Sequence, residues 1–100
     1  MIIYNVTIKA NNEIANDWVR WMREEHMPEL MQTGLFIESR LHRLLEQDES
    51  EGVTYIAQYY CNSLQEYNKY ISEHSQIMRE KGIQRFGGKF AAFRTIMEVL

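Results

Sequence analysis

The hydrophobic period switches along this chain in a fixed order, from 2 to 3.6, back to 2 for two consecutive stretches, then to 3.6 and 2 again. Residues 2–9 alternate, with Ile2, Tyr4, Val6 and Ile8 on one side and Ile3, Asn5, Thr7 and Lys9 on the other, which predicts a strand. Asn11-Asn12 offers a turn and a helix cap, and Ile14, Ala15, Trp18, Val19, Trp21 and Met22 recur at helical spacing up to about His26. Pro28 lacks an amide hydrogen and is expected to interrupt this helix or to open a short second one. Gly34 is expected to stop the helix, after which Leu35, Ile37, Ser39 and Leu41 alternate with Phe36, Glu38, Arg40 and His42 as a second strand.

The polar stretch Glu46 to Gly52 reads as a hairpin loop, and Val53 to Cys61 as a third strand. Ser63 with Glu66 three residues on forms a capping box. Leu64, Tyr67, Tyr70, Ile71, His74, Ile77 and Met78 then follow at helical steps. Gly82 is expected to stop this helix, Ile83 to Phe86 to add one turn, and Gly87-Gly88 to lead into a last strand from Phe90 to Val99.

The order is therefore βαββαβ, an α+β, ferredoxin-like arrangement: a four-stranded antiparallel sheet with two helices on one face. A length of 100 residues with 45% hydrophobic side chains suits one domain spanning 1–100 with a core that needs no metal or disulfide staple. Tyr4, Val6, Ile37, Leu41, Tyr55, Tyr59, Phe93, Met97 and Val99 are expected to face the helices. Ile3, Asn5, Phe36, Arg40, His42, Ile56, Gln58, Tyr60, Arg94 and Ile96 are then left on the bare face. Half of that face is apolar, which predicts a homodimer joined through the open sheet face.

Composition narrows the function classes. The single Cys61 allows no intramolecular disulfide and no cysteine zinc site, and fits a reducing, cytoplasmic setting. A net charge of -3 supplies no footprint for nucleic acid. The first residues lack the basic and apolar regions of a signal peptide, and no apolar run approaches membrane-spanning length, so neither export nor a membrane partner is expected.

Four segments carry a family resemblance: Ile2-Ile3-Tyr4-Asn5-Val6-Thr7; Trp18-Val19-Arg20-Trp21-Met22-Arg23-Glu24-Glu25-His26-Met27-Pro28; Gly52-Val53-Thr54-Tyr55; and Arg85-Phe86-Gly87-Gly88-Lys89-Phe90-Ala91-Ala92-Phe93-Arg94-Thr95. With these the chain resembles an uncharacterised family of short bacterial proteins known as a domain of unknown function, which implies a fold and no activity. More loosely, a Trp on the first helix, then Glu25-His26-x-Pro28, then Gly34 and Phe36, is similar to dimeric α+β barrel proteins. That superfamily includes small monooxygenases, polyketide cyclases, lactone isomerases and dehydratases, so the resemblance implies barrel-like association of two sheets. Thr33-Gly34-Leu35-Phe36 stands where those proteins usually carry Pro-Gly-Phe.

Three groups of residues have chemistry to offer. His26, at the end of the first helix where a barrel mouth would lie, is a candidate general base, although a histidine in a last helical turn also serves the helix dipole. His74 lies mid-stripe and reads as a core histidine paired with a tyrosine hydroxyl such as Tyr4 or Tyr55. Asn5, Arg40, His42, Gln58, Tyr60 and Arg94 share the open face in this reading. There they would hold a carboxylate or enolate between two sheets, or form interface ion pairs with Glu38 and Glu98.

No spacing of histidines and carboxylates suits a metal, Gly87-Gly88 lacks the features of a phosphate cradle, and no cofactor is expected. An RNA platform lacks the basic-aromatic strand pattern. Two readings remain: a dimeric domain that binds a small organic ligand between its sheets, or a cofactor-free isomerase, cyclase or monooxygenase. In the enzyme, His26 or His42 is the base and Arg40 or Arg94 stabilises an oxyanion.

Overall fold

Strand β1 (Ile2–Ala10) is buried along most of its length because it lies inside the sheet, whose order is β2-β3-β1-β4 with every neighbouring pair antiparallel. The computed structural model describes residues 1–100. Strands β2 (Glu38–Arg43) and β4 (Phe90–Glu98) form the edges, and β3 (Val53–Cys61) lies between β2 and β1. Along β3 the burial alternates at every residue: Val53, Tyr55, Ala57, Tyr59 and Cys61 lie under the helices, whereas Thr54, Ile56, Gln58 and Tyr60 remain half-exposed on the open face. The antiparallel ferredoxin-like sheet expected from the order of periods is thus the one formed.

Pro28 does not end the first helical arm but lies in the first turn of a short second helix, the second of the two outcomes expected for it. Helix α1 (Ala15–Trp21) runs into a π-helical turn (Met22–His26) and on into α2 (Met27–Gln32), with Met27 fully helical at φ -63° and ψ -43°. Pro28 cannot donate to the carbonyl four residues back, and its ring crowds that carbonyl. The widened turn accommodates it: the amide of Met27 donates to Met22 five residues earlier, and the helix then resumes. Asn11-Asn12 does not cap the arm, which begins at Ile14 without a side-chain cap. The side-chain amide of Asn12 instead donates to the backbone carbonyls of Glu49 and Ser50, tying this corner to the β2–β3 loop.

The second helical region also departs from a single run. Ser63 caps α3 (Leu64–Glu73): its hydroxyl oxygen accepts from the backbone amide of Gln65 at 3.2 Å and its hydroxyl donates to the Glu66 carboxylate, a variant of the expected capping box. At His74 the backbone leaves helical geometry, and α4 (Ser75–Phe86) sets off afresh. Ile77 and Leu64, read from the sequence as core, are therefore exposed, and half-exposed His74 stacks on Tyr70 without reaching Tyr4 or Tyr55. Gly82 does not end α4. A Cβ there would stand 3.5 Å from Trp21 and Phe90, so the glycine lets the helix lie against both rings. The stop comes at Gly87, whose φ of 62° favours glycine.

Two strand phases are corrected. In β4, Ala10 pairs with Phe90, Ile8 with Ala92, Val6 with Arg94 and Tyr4 with Ile96, which turns Arg94 and Ile96 toward the helices and Phe93 and Met97 to the open face. Phe90 decides this phase by packing edge-on to Phe86 and beside Gly82. Before β2 the chain is irregular, and Phe36 folds back among Tyr4, Tyr59 and Tyr70 while Ile37 is exposed. Phe36 thus belongs to the core and not to the open face.

Close approach also explains Gly52, at the start of β3. A Cβ there would lie 2.7 Å from the carbonyl oxygen of Ala10, a backbone atom that cannot swing aside. Gly52→Ala is expected to cost about 1–3 kcal/mol in chemical denaturation through this overpacking.

Candidate ligand site between the helices and the sheet

The π turn places a chemical group where a regular helix would not. Its i→i+5 geometry brings Trp21 and His26 onto one face, and their rings stack with centroids 4.4 Å apart. His26 Nδ1 is buried without a hydrogen-bond partner. The ring lines a pocket of about 40 Å³ between the helices and the sheet, space for roughly three waters.

Around that pocket stand Tyr4 from β1, Tyr59 from β3, Tyr70 from α3, Met78 and Arg79 from α4, and Arg94 from β4. Two arginines and no carboxylate line it. Arg94 Nε donates to the Tyr4 hydroxyl oxygen at 3.2 Å, leaving the Tyr4 proton free for another acceptor. Burial pushes Tyr59 and Tyr70 well above the usual tyrosine range, so both are protonated donors at neutral pH.

His26 is pushed down to about 4, first by burial and then by the charges of Lys81 and Arg94, with Glu29 opposing. Its imidazole is neutral at pH 7, a hydrogen-bonding group more than an efficient base, because a general base works best with a pKa near the working pH. An unpartnered buried nitrogen costs roughly 1–3 kcal/mol, which a ligand that satisfies it recovers. No group of three His, Cys, Asp or Glu side chains converges for a metal ion.

The remaining sequence candidates lie elsewhere. Asn5, Gln58 and Tyr60 form a ladder across the open face: Tyr60 donates to Gln58 at 3.1 Å, Gln58 to Asn5 at 3.2 Å, and Asn5 to Thr95 at 3.3 Å. Arg40 is bound to Glu38 at 2.9 Å and lies 6.0 Å from the Tyr60 ring. His42 is exposed on the outer strand β2. Arg94 is separated from all five by the sheet and bonds to Tyr4, not Glu98. The phase of β4 hid the Arg94–His26 neighbourhood from sequence reading, although Tyr4 was already on the helix-facing side.

This architecture is the ferredoxin-like fold, shared with solved proteins some of which are described as dimeric. A dimeric ferredoxin-like protein from an uncultured marine organism is similar over 98% of this chain and 97% of its own, at 14% identity and a TM-score of 0.67. A protein from Deinococcus radiodurans provisionally named an antibiotic biosynthesis monooxygenase matches at 11% identity and a TM-score of 0.68, covering 100% of this chain and 93% of its own. HapK from Hahella chejuensis matches at 12% and 0.70 with the same coverage. The chain belongs to the family described as domain of unknown function DUF4286, whose model matches residues 1–100. The curated proteins contain no match. No helix is long and apolar enough to cross a membrane.

Proposed function

We propose that this chain is a homodimeric ferredoxin-like module that pairs through its open sheet face and holds a small organic ligand in the His26 pocket. The observation that carries the ligand site is the buried, unpartnered Nδ1 of His26 in a pocket whose only charged lining groups are arginines. A small carboxylate, phenol or enol suits it: the oxygen meets Arg94 and the Tyr4 hydroxyl, the apolar body meets Trp21, Met22 and Leu30, and a polar atom satisfies His26. At about 40 Å³ the pocket needs side-chain movement to admit such a molecule, and flexible Met22 and Met78 are in its wall.

Pairing is supported by solved neighbours described as dimeric and by the open face itself, where Phe93 and Met97 are exposed beside Ile3 and Ile56. The polar groups there, Asn5, Gln58, Tyr60 and Thr95, already satisfy one another, so covering them costs little. Arg40 and His42 would stand toward the margin of that interface, beside Glu38 on outer strand β2.

A thermal-shift panel of small carboxylates and phenols tests the ligand. A saturating member is expected to raise the melting temperature by roughly 10 °C, with the shift lost in His26→Phe and Arg94→Leu. A flat response across the panel overturns the ligand reading. Phe93→Asp is expected to convert a dimer to a monomer in sedimentation equilibrium, and a dimer that survives it overturns the pairing face.

The enzyme reading places the same residues in other roles, and the adjacency of Arg94 and Tyr4 favours it. Arg94 and Tyr4 would stabilise an oxyanion, as cofactor-free isomerase, cyclase or monooxygenase chemistry requires, while neutral His26, a weak base at this depth of burial, would hold the substrate by a hydrogen bond. Turnover of the bound compound by the wild-type chain separates this reading from simple binding, and a compound that binds and is recovered unchanged overturns it.

A further inference from the structure

A second, larger concavity lies on the outer side of the first helical arm. It is an open groove of about 560 Å³ between that arm and edge strand β2, well within the size range of small-molecule sites. Val19, Met27, Pro28, Met31 and Leu41 supply its apolar wall. Arg23, His42 and Arg43 supply its charged and titratable lining, and no Asp or Glu lines it.

The charges are not equivalent. Arg43 is already held by Glu49. Arg23 is exposed and has neither an ion-pair nor a hydrogen-bond partner, in a chain whose net charge is -3. A free guanidinium in the lining of an apolar trough is complementary to an anionic head on a flexible apolar tail. A compact polar anion would leave the trough uncovered, and a neutral lipid would leave Arg23 unmatched. Two unbranched methionines in the wall suit a tail of variable shape. The groove and the His26 pocket share no lining residue, so the two are separate sites.

We infer that the groove between the α1–α2 arm and β2 binds a medium-chain carboxylate, its head on Arg23 and its tail along Val19, Met27, Met31 and Leu41. The inference does not depend on the His26 pocket. The methionines make the test site-specific, because Met27 and Met31 line the groove, Met22 and Met78 line the pocket, and Met97 lies on the open face.

In methyl-labelled methionine spectra of the whole chain titrated with decanoate, the Met27 and Met31 resonances are expected to move together and saturate. Those of Met22, Met78 and Met97 are expected to stay in place. Arg23→Gln, an exposed change that leaves the fold intact, should weaken binding about tenfold or more, and decanol should bind wild type about tenfold more weakly than decanoate. Equal binding of decanol and decanoate overturns the role of Arg23. Movement only of Met22 and Met78 assigns the ligand to the His26 pocket and overturns the groove, as does no movement at millimolar decanoate. Displacement of the Met27 and Met31 resonances on dilution without ligand assigns the groove to a second copy or another chain and also overturns the inference.

Discussion

Lowering the pH from 7 to 4 is expected to remove about 3 kcal/mol of folding stability through His26 alone. The folded state holds this imidazole down at about 4, against an ordinary value of 6.5 in the unfolded chain. Between those values the unfolded chain binds the extra proton, so stability rises with pH across the window, is fully present above about 6.5 and falls as pH drops toward 4. Burial is the leading cause; Lys81 from α4 and Arg94 from β4 add to it, and Glu29 on α2 works against it.

The carboxylates of Asp48, Glu49 and Glu66 are held below their ordinary range by Ser50, Arg43 and Ser63 respectively, so their losses begin only at the acid end of the window. Urea unfolding at fixed protein concentration at pH 7, 5.5 and 4 measures the effect, with His26→Phe as the reference chain. The variant is expected to lose most of the slope between 7 and 4. Equal slopes in both chains would mean that the imidazole is hydrated in the folded state. An anion bound beside His26 favours the imidazolium, so a ligand of the proposed class should flatten the wild-type slope as well.

What the sequence disclosed follows from where its pattern is one-sided. In β1 and β3 one phase is clearly more apolar than the other, and both strands and their faces are legible from alternation alone. In β4 the phases compete: Phe90, Ala92 and Ile96 against Ala91, Phe93 and Met97. Apolar size points to the second set, but the fold takes the first because Phe90 fills the space that Gly82 leaves beside Trp21, a relation between distant residues that no local window contains. That single phase error moved Arg94 to the wrong side of the sheet and hid its meeting with Tyr4 and His26. The π turn had a sequence signal, a proline four residues after Glu24 within an otherwise continuous apolar stripe, but the usual consequence of proline is a break and not a widened turn. His26 itself was legible as a candidate; its lowered pKa was not, because burial is a tertiary property.

Phe36 and Ile37 should show the same contrast in energy. Alternation through Leu35 and Ile37 places Ile37 inside and Phe36 on the open face, whereas in the folded chain Phe36 is 4% exposed and Ile37 is 53% exposed. The reason is that regular pairing begins only at Glu38; before it the chain is free to turn, and an aromatic ring gains more by burial than an isoleucine does. Phe36 lies 5.1 Å from Tyr70, 5.5 Å from Tyr59 and 6.3 Å from Tyr4 between ring centroids, at the centre of the aromatic core. Phe36→Ala is accordingly expected to lose about 3–5 kcal/mol, a large share of the total stability of a domain this size, and Ile37→Ala about 0.5 kcal/mol or less. Should Phe36→Ala fail to fold, Phe36→Leu, with a loss of roughly 1–2 kcal/mol, keeps the comparison measurable by guanidinium unfolding. A larger loss at Ile37 than at Phe36 would restore the alternating strand from Leu35 and displace Phe36 to the open face, where its removal would weaken dimerisation instead of folding.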